Sequence, residues 1–173
     1  MAGAAWRKQR AAVVLREHAE LTWGGPTVGD VIIIKSPADG VDIVKRVIGV
    51  GGDHIEVRHD EVYRNGVALP RIDRGPCRSG TGAAHPLCRV YESQFGDESF
   101  LTSSSRVTGD PRPVTVPEDH IYVLGDHRDS SNDSRNPAVG FIPLARIKGK
   151  ALSIYWSHGD QGIAWGRMFH NVR

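Results

Sequence analysis

Short β-branched runs alternate along the chain with clusters of Gly, Pro, Asp and Asn, a punctuation that predicts strands joined by turns. Val31 to Ile34 is an unbroken apolar run, the pattern of a strand covered on both faces. Pro37, Asp39 and Gly40 mark a turn, and Val41 to Val50 reads as a second strand that stops at Gly51, Gly52 and Asp53. His54 to Arg58 and Glu61 to Arg64 follow. Asn65-Gly66 is a type I′ hairpin signal before Val67 to Leu69, because that turn needs positive φ at both central residues. Val114 to Val116, Ile121 to Leu124 and Ala151 to Trp156 resume the pattern. Between them, residues 71–113 are rich in Gly, Ser, Arg and Pro, with weak alternation only at Arg89 to Tyr91 and Ser99 to Thr102. They predict a loop-rich insertion or small subdomain within a unit spanning 24–173. The expected class is mainly β.

The second strand places a lysine on an apolar face. Side chains alternate with period two, so Ile43, Lys45 and Val47 share one face while Asp42, Val44, Arg46 and Ile48 share the other. Burial disfavours an ammonium ion and lowers its pKa, which is how a lysine becomes a general base near neutrality. The same pattern also fits an edge lysine that snorkels to water. A dense polar loop follows the strand ending at Leu124: Gly125-Asp126-His127-Arg128-Asp129-Ser130-Ser131-Asn132-Asp133-Ser134-Arg135. Rigid strands that empty into polar loops are common places to display chemistry. Alternating acids and bases predict bidentate pairs in which Asp126, Asp129 and Asp133 accept from Arg128 and Arg135. A calcium loop is the rival reading, opposed by the two arginines and by a spacing unlike an EF-hand.

Composition narrows the classes. The 173 residues are 39% hydrophobic and 24% charged, as in ordinary globular proteins, and 20 glycines with 10 prolines suit many turns. A net charge of +2 on interleaved acids and bases is too weak for a nucleic-acid footprint. No run approaches the ~18 apolar residues of a membrane-spanning helix. Residues 1–23 hold Arg7, Lys8 and Arg10 before an apolar run, Ala11 to Leu15, which Arg16, Glu17 and His18 cut too short for a secretory leader. This segment reads as a frayed or amphipathic helix, as a basic surface anchor, or as a stretch without a fold role. Cys77 and Cys88 are either a short disulfide or two free thiols, and two cysteines without clustered histidines are too few for a zinc site.

Three segments together resemble the signatures of type I signal peptidases (leader peptidases). They are Gly29-Asp30-Val31-Ile32-Ile33-Ile34-Lys35, then Val44-Lys45-Arg46-Val47-Ile48-Gly49-Val50-Gly51-Gly52-Asp53, then Gly125 through Arg135. Gly140-Phe141-Ile142-Pro143 and Ile147-Lys148-Gly149-Lys150-Ala151 are similar to the segment after the last signature, so the resemblance covers roughly residues 26–157. It implies an antiparallel β catalytic domain and a Ser/Lys dyad that needs no cofactor or metal and cuts signal peptides from secreted preproteins. It also implies a place on the outer face of the bacterial plasma membrane. By position in the motif, Lys45 corresponds to the general base and Ser131 to the serine that orients it. Asp126, Arg128, Asp133 and Arg135 correspond to a supporting charge network, and Gly125 to the glycine packed beside the lysine.

The departures are specific. His127 and Ser130 stand where the family usually has asparagine, and Gly51 where it usually has proline. The family's Ser-Met-x-Pro-Thr-like segment, which carries the nucleophile, has no counterpart before Gly29. The first serine is Ser36, in a turn, and Gly25-Pro26-Thr27 lacks a preceding Ser-Met. Ser36, Ser79 and Ser103 to Ser105 lack a nucleophile's context. The expectation is a truncated peptidase holding the base but not the nucleophile, inactive alone. The alternative is a non-catalytic β module that binds preproteins or another partner.

Overall fold

A computed structural model describes residues 24–77, 87–96, 98–106 and 109–153 in full and residues 10–15, 154–159, 162–163 and 170–171 as strand backbone. Every paired strand is antiparallel, in three sheets. Strands β1 (Arg10–Leu15), β2 (Val31–Lys35), β3 (Asp42–Val50), β4 (His54–Arg58), β5 (Glu61–Arg64) and β6 (Val67–Ala68) lead into β7 (Arg71–Pro76), β8 (Arg89–Phe95) and β9 (Glu98–Ser104). After them come β10 (Val114–Thr115), β11 (His120–Leu124), β12 (Ile142–Pro143), a 3₁₀ turn at Leu144–Arg146, β13 (Ile147–Gly159), β14 (Gly162–Ile163) and β15 (His170–Asn171). The largest sheet has the order β1-β13-β2-β3-β11-β12, with β14 and β15 also on β13. The others run β10-β4-β5-β6 and β7-β8-β9.

Two cores flank β3. Ile32, Ile34, Val47, Ile121, Val123, Val139 and Ile142 form one, with Ile43 packed against it. Ile48, Ile55, Val57, Val62, Val116, Tyr122 and Leu124 form the other, between the large sheet and β4–β5. The period-two reading of β3 thus holds: Ile43 and Val47 meet the first core and Ile48 the second. The strand is buried from Arg46 to Gly49. Asn65 and Gly66 adopt φ of 52° and 79°, the pair a type I′ turn requires. The β4–β5 hairpin repeats that conformation at His59 and Asp60, with φ of 49° and 66°, where no glycine signalled it.

Three expectations change. Arg10–Leu15, read as part of a helix or of a stretch without a fold role, is a strand paired with β13 with two register shifts; the long edge of β13 offers backbone partners to a segment too short to be a stable helix alone. Residues 71–76, expected within a loop-rich insertion or small subdomain, are β7. The strand lacks apolar alternation because its contacts with β8 are charged: Arg89 Nε donates to Asp73 at 2.6 Å, Arg74 Nε to Glu92 at 2.7 Å, and Arg71 lies 3.5 Å over the Tyr91 ring. β13 begins at Ile147 rather than Ala151, since pairing with β2 extends it through polar Lys148 and Lys150. Cys77, just after β7, and Cys88, just before β8, form a disulfide, the first of the two alternatives. No helix of the described residues is long and apolar enough to cross a membrane.

Gly49 tests the packing between β3 and β4. A Cβ there would lie 2.7 Å from Ile55 Cδ1 and 3.0 Å from Cγ1. Gly49→Ala is therefore expected to cost about 1–3 kcal/mol, read as a lower urea midpoint with unchanged m-value; an unaltered midpoint would show that the contact yields freely.

Candidate active site

β2, β3 and β11 bring the lysine and the polar loop together. Across β2, Lys45 pairs with Ile32, which is fully buried. On the other side β11 ends at Leu124 opposite Arg46, so Gly125 falls beside Lys45. The loop then turns back: Ser134 N donates to Val123 O at 3.1 Å, and Val123 N donates to Ser134 Oγ at 3.0 Å. That return carries Ser131 over Gly125, and Lys45 Nζ donates to Ser131 Oγ at 2.8 Å. Ser131 Oγ is the hydrogen-bond partner of the ammonium among the described residues.

The approach requires glycine at 125. A Cβ there would stand 2.1 Å from Ser131 Oγ and 2.4 Å from Ser131 Cβ, far inside van der Waals contact, and 3.5 Å from Lys45 Nζ. The backbone N–H of Gly125 donates to Asp133 Oδ2 at 2.9 Å. Asp133 is 1% exposed, and Arg135 forks onto it, Nε to Oδ1 and Nη2 to Oδ2, each at 2.8 Å. Burial pushes the Asp133 carboxyl up, but Arg135, the Gly125 amide and the Ser131 hydroxyl outweigh it and hold the group below its ordinary value. A hydroxyl that donates to Asp133 turns its lone pairs elsewhere, toward Lys45.

Burial pushes the Lys45 ammonium below its ordinary value; Asp133 opposes this shift, Arg135 adds to it and Asp126 opposes it. A neutral lysine that still donates one N–H to Ser131 keeps a lone pair free to take a proton from a hydroxyl delivered to its open side. The geometry is that of a base with its orienting group in place.

The loop charges pair differently from the sequence expectation. Asp133 takes Arg135, as foreseen, but Asp126 accepts both Nε (2.9 Å) and Nη2 (2.8 Å) of Arg46 rather than a loop arginine. Asp129 Oδ2 accepts from Ser105 N at 3.2 Å, and its Oδ1 lies 3.1 Å from His127 Nε2. Arg128 joins the cluster through its carbonyl, which accepts from Arg135 Nη2. Its side chain turns inward, where burial pushes the guanidinium down to about 10 against the pull of Asp126. The residue that sequence reasoning missed is Arg46. It is 4% exposed, donates through Nη1 to Gly29 O at 2.8 Å and lies 4.1 Å over the Phe100 ring. Its signal was available, since a charge buried inside an apolar strand demands a partner of opposite sign. No group of three His, Cys, Asp or Glu side chains able to hold a metal occurs among the described residues.

β9 straps this loop from beneath. Ser103 N donates to Asp126 O and Arg128 N to Ser103 O, both at 2.8 Å, around an isolated parallel bridge between Ser103 and His127.

Two outcomes follow from the geometry. Gly125→Ala should displace Ser131, break its bond to Lys45 and cost about 1–3 kcal/mol; side-chain ¹⁵N NMR that still shows Lys45 Nζ coupled to Ser131 would contradict this. A lysine whose folded pKa lies below its unfolded value binds its proton less tightly when folded, so stability rises as pH climbs from the lowered pKa toward ~10.4. Lys45→Met removes that cost. The variant should exceed the parent in stability at pH 7, with the advantage shrinking toward pH ~10; denaturant unfolding across this range would show the opposite slope if Lys45 were stabilised in its charged form.

The family model for "Signal peptidase, peptidase S26" matches residues 8–156. Signal peptidase I of Rickettsia canadensis is 34% identical over 140 residues, covering 76% of this chain and 52% of the relative. That of Pseudomonas aeruginosa is 31% identical over 152 residues, covering 79% and 51%. A signal peptidase I structure from Enterococcus faecalis aligns with 27% identity and a TM-score of 0.44, covering 72% of this chain and 95% of that one. The chain thus spans about half the length of the curated relatives it matches. With a family match along most of its length, carrying β3, Lys45 and the whole loop from Gly125 to Arg135, this chain belongs to the signal peptidase family, peptidase S26.

Proposed function

We propose that this chain carries the general-base half of a serine endopeptidase that removes signal peptides from secreted preproteins. The observation that carries the reading is the 2.8 Å bond from a partly desolvated Lys45 to Ser131, made possible by Gly125. Lys45 is the base that deprotonates a serine hydroxyl and later returns the proton to the leaving amine. Ser131 orients it. Asp133 holds Ser131 and Gly125, Arg135 holds Asp133, and Arg128 supports Arg135 through its carbonyl. Asp126 ties the loop's first turn to β3 through Arg46.

The nucleophile in this reading is a serine from a Ser-Met-x-Pro-Thr segment of the full protein. Ser36 does not qualify: it is 2% exposed, and its Oγ accepts from Ala38 N in its own turn. The Ser104 hydroxyl lies 2.9 Å from Asp60 Oδ2 and 2.7 Å from Arg106 O, two acceptors between which its one proton is already committed. Ser79 lies outside the described residues. The Cys77–Cys88 disulfide supports an oxidising site of action, consistent with the outer face of the bacterial plasma membrane.

The test compares this chain with the same chain joined to a Ser-Met-x-Pro-Thr segment from a relative, using a preprotein with an Ala-x-Ala cleavage site. Only the joined protein should cut. In it, Lys45→Met should lower kcat/KM by at least ~10³-fold, because dyad members act as a unit, and Ser131→Ala by ~10–100-fold. Cleavage by this chain alone, or by the joined Lys45→Met protein at the parent rate, would overturn the assignment. Preprotein binding without cleavage by either form would instead identify a non-catalytic module.

A further inference from the structure

Beneath the loop, between β5, β8 and β9, lies a small, partly open cavity of about 10 Å³ lined by Asp60, Ser93, Thr102, Arg128 and Arg71, with Val62 and Leu69 as apolar wall. Its polar lining is unusual for an interior. Asp60, Ser93, Thr102 and Arg128 are each between 3% and 6% exposed. Arg128 Nε is buried with no hydrogen-bond partner among the described residues, and a buried guanidinium N–H left in that condition is costly. The left-handed turn at His59 and Asp60, φ 49° and 66°, is held in a sparsely populated conformation that carries the Asp60 carboxylate into this interior.

The volume and the chemistry together select the ligand. A site of this size accommodates one water-sized molecule, and a buried water needs two to four polar partners. Donor and acceptor are both present: Arg128 Nε offers a proton, the Asp60 carboxylate accepts, and two hydroxyls take either role. A lone anion would face Asp60 at close quarters, which disfavours it.

We propose that this cavity is a specific site for a single structural water that accepts from Arg128 Nε and donates to Asp60, with Ser93 and Thr102 completing its shell. The water is a strut. It joins the β7-β8-β9 sheet and the β4–β5 turn to the residue whose carbonyl supports Arg135. It lies next to the strap in which Arg128 N donates to Ser103 O and Ser103 N donates to Asp126 O. The site is independent of which serine is the nucleophile and of whether the chain cleaves preproteins.

A high-resolution crystal structure of the chain should show one density peak within hydrogen-bond distance of Arg128 Nε and Asp60. Water ¹⁷O magnetic relaxation dispersion should lose the contribution of one long-lived molecule in Ser93→Val, which replaces a lining hydroxyl with methyl groups. Amide exchange at Ser103 and Arg128 should accelerate ~10-fold in that variant while Ile34, in the large sheet, keeps its rate. The proposal is overturned by the absence of density in the unsubstituted chain. It is equally overturned by a peak that scatters anomalously after a bromide soak, which marks an anion, or by unchanged exchange at both amides. The unsubstituted crystal structure decides the water site even if Ser93→Val fails to fold.

Discussion

The Asp133 carboxylate, shut away from solvent between a strand and its own loop, is the charge on which the candidate site rests. An ionised group in that position needs full compensation, and Arg135, the Gly125 amide and the Ser131 hydroxyl supply it. Each compensating group is thereby fixed. Ser131 is turned so that its lone pairs face Lys45, Gly125 is drawn against the lysine's strand, and Arg135 is set to reach the Arg128 carbonyl. The lysine inherits its geometry from a carboxylate on another element.

Two opposing effects act on Lys45. Burial against Ile32, Ile43 and Val47 drives it toward the neutral amine, while Asp133 and Asp126 favour the ammonium. Burial wins because both acids are already engaged by arginines, Asp133 by Arg135 and Asp126 by Arg46. Arg46 has the further task of closing the first turn of the loop onto Gly29 and Phe100. Adjacent residues of one strand thus serve opposite faces: Lys45 enters the apolar face and Arg46 binds Asp126 from the other.

The small β7-β8-β9 sheet has a mechanical relation to this cluster. Its backbone at Ser103 bonds to both sides of His127, and Ser105 N reaches Asp129. Cross-strand charge pairs and the Cys77–Cys88 disulfide hold that sheet together, although it contributes little apolar surface of its own. A loop that must hold Ser131 within hydrogen-bond reach of Lys45 gains rigidity from being pinned at both ends and from below.

Local pattern alone determined β2, β3, β11 and much of β13 in the large sheet. Period-two alternation placed Lys45 with Ile43 and Val47, and Asn65-Gly66 specified its turn, because these signals arise from sterics within a few residues. The signature segments likewise identified Lys45, Ser131, Gly125, Asp133 and Arg135 as one group, and the fold brings them together. Tertiary structure decided the rest. The partner of Asp126 is 80 residues away, on a strand whose own alternation could not name it. The left-handed turn at His59 and Asp60 is held where Asp60 accepts from Ser104, 44 residues distant. β1 and β7 are strands because an open edge and cross-strand charges offered pairing that their own sequences do not encode. Periodicity records which face of an element is apolar; which charge meets which is a property of the assembled sheets, and there the long-range pairing had the final word.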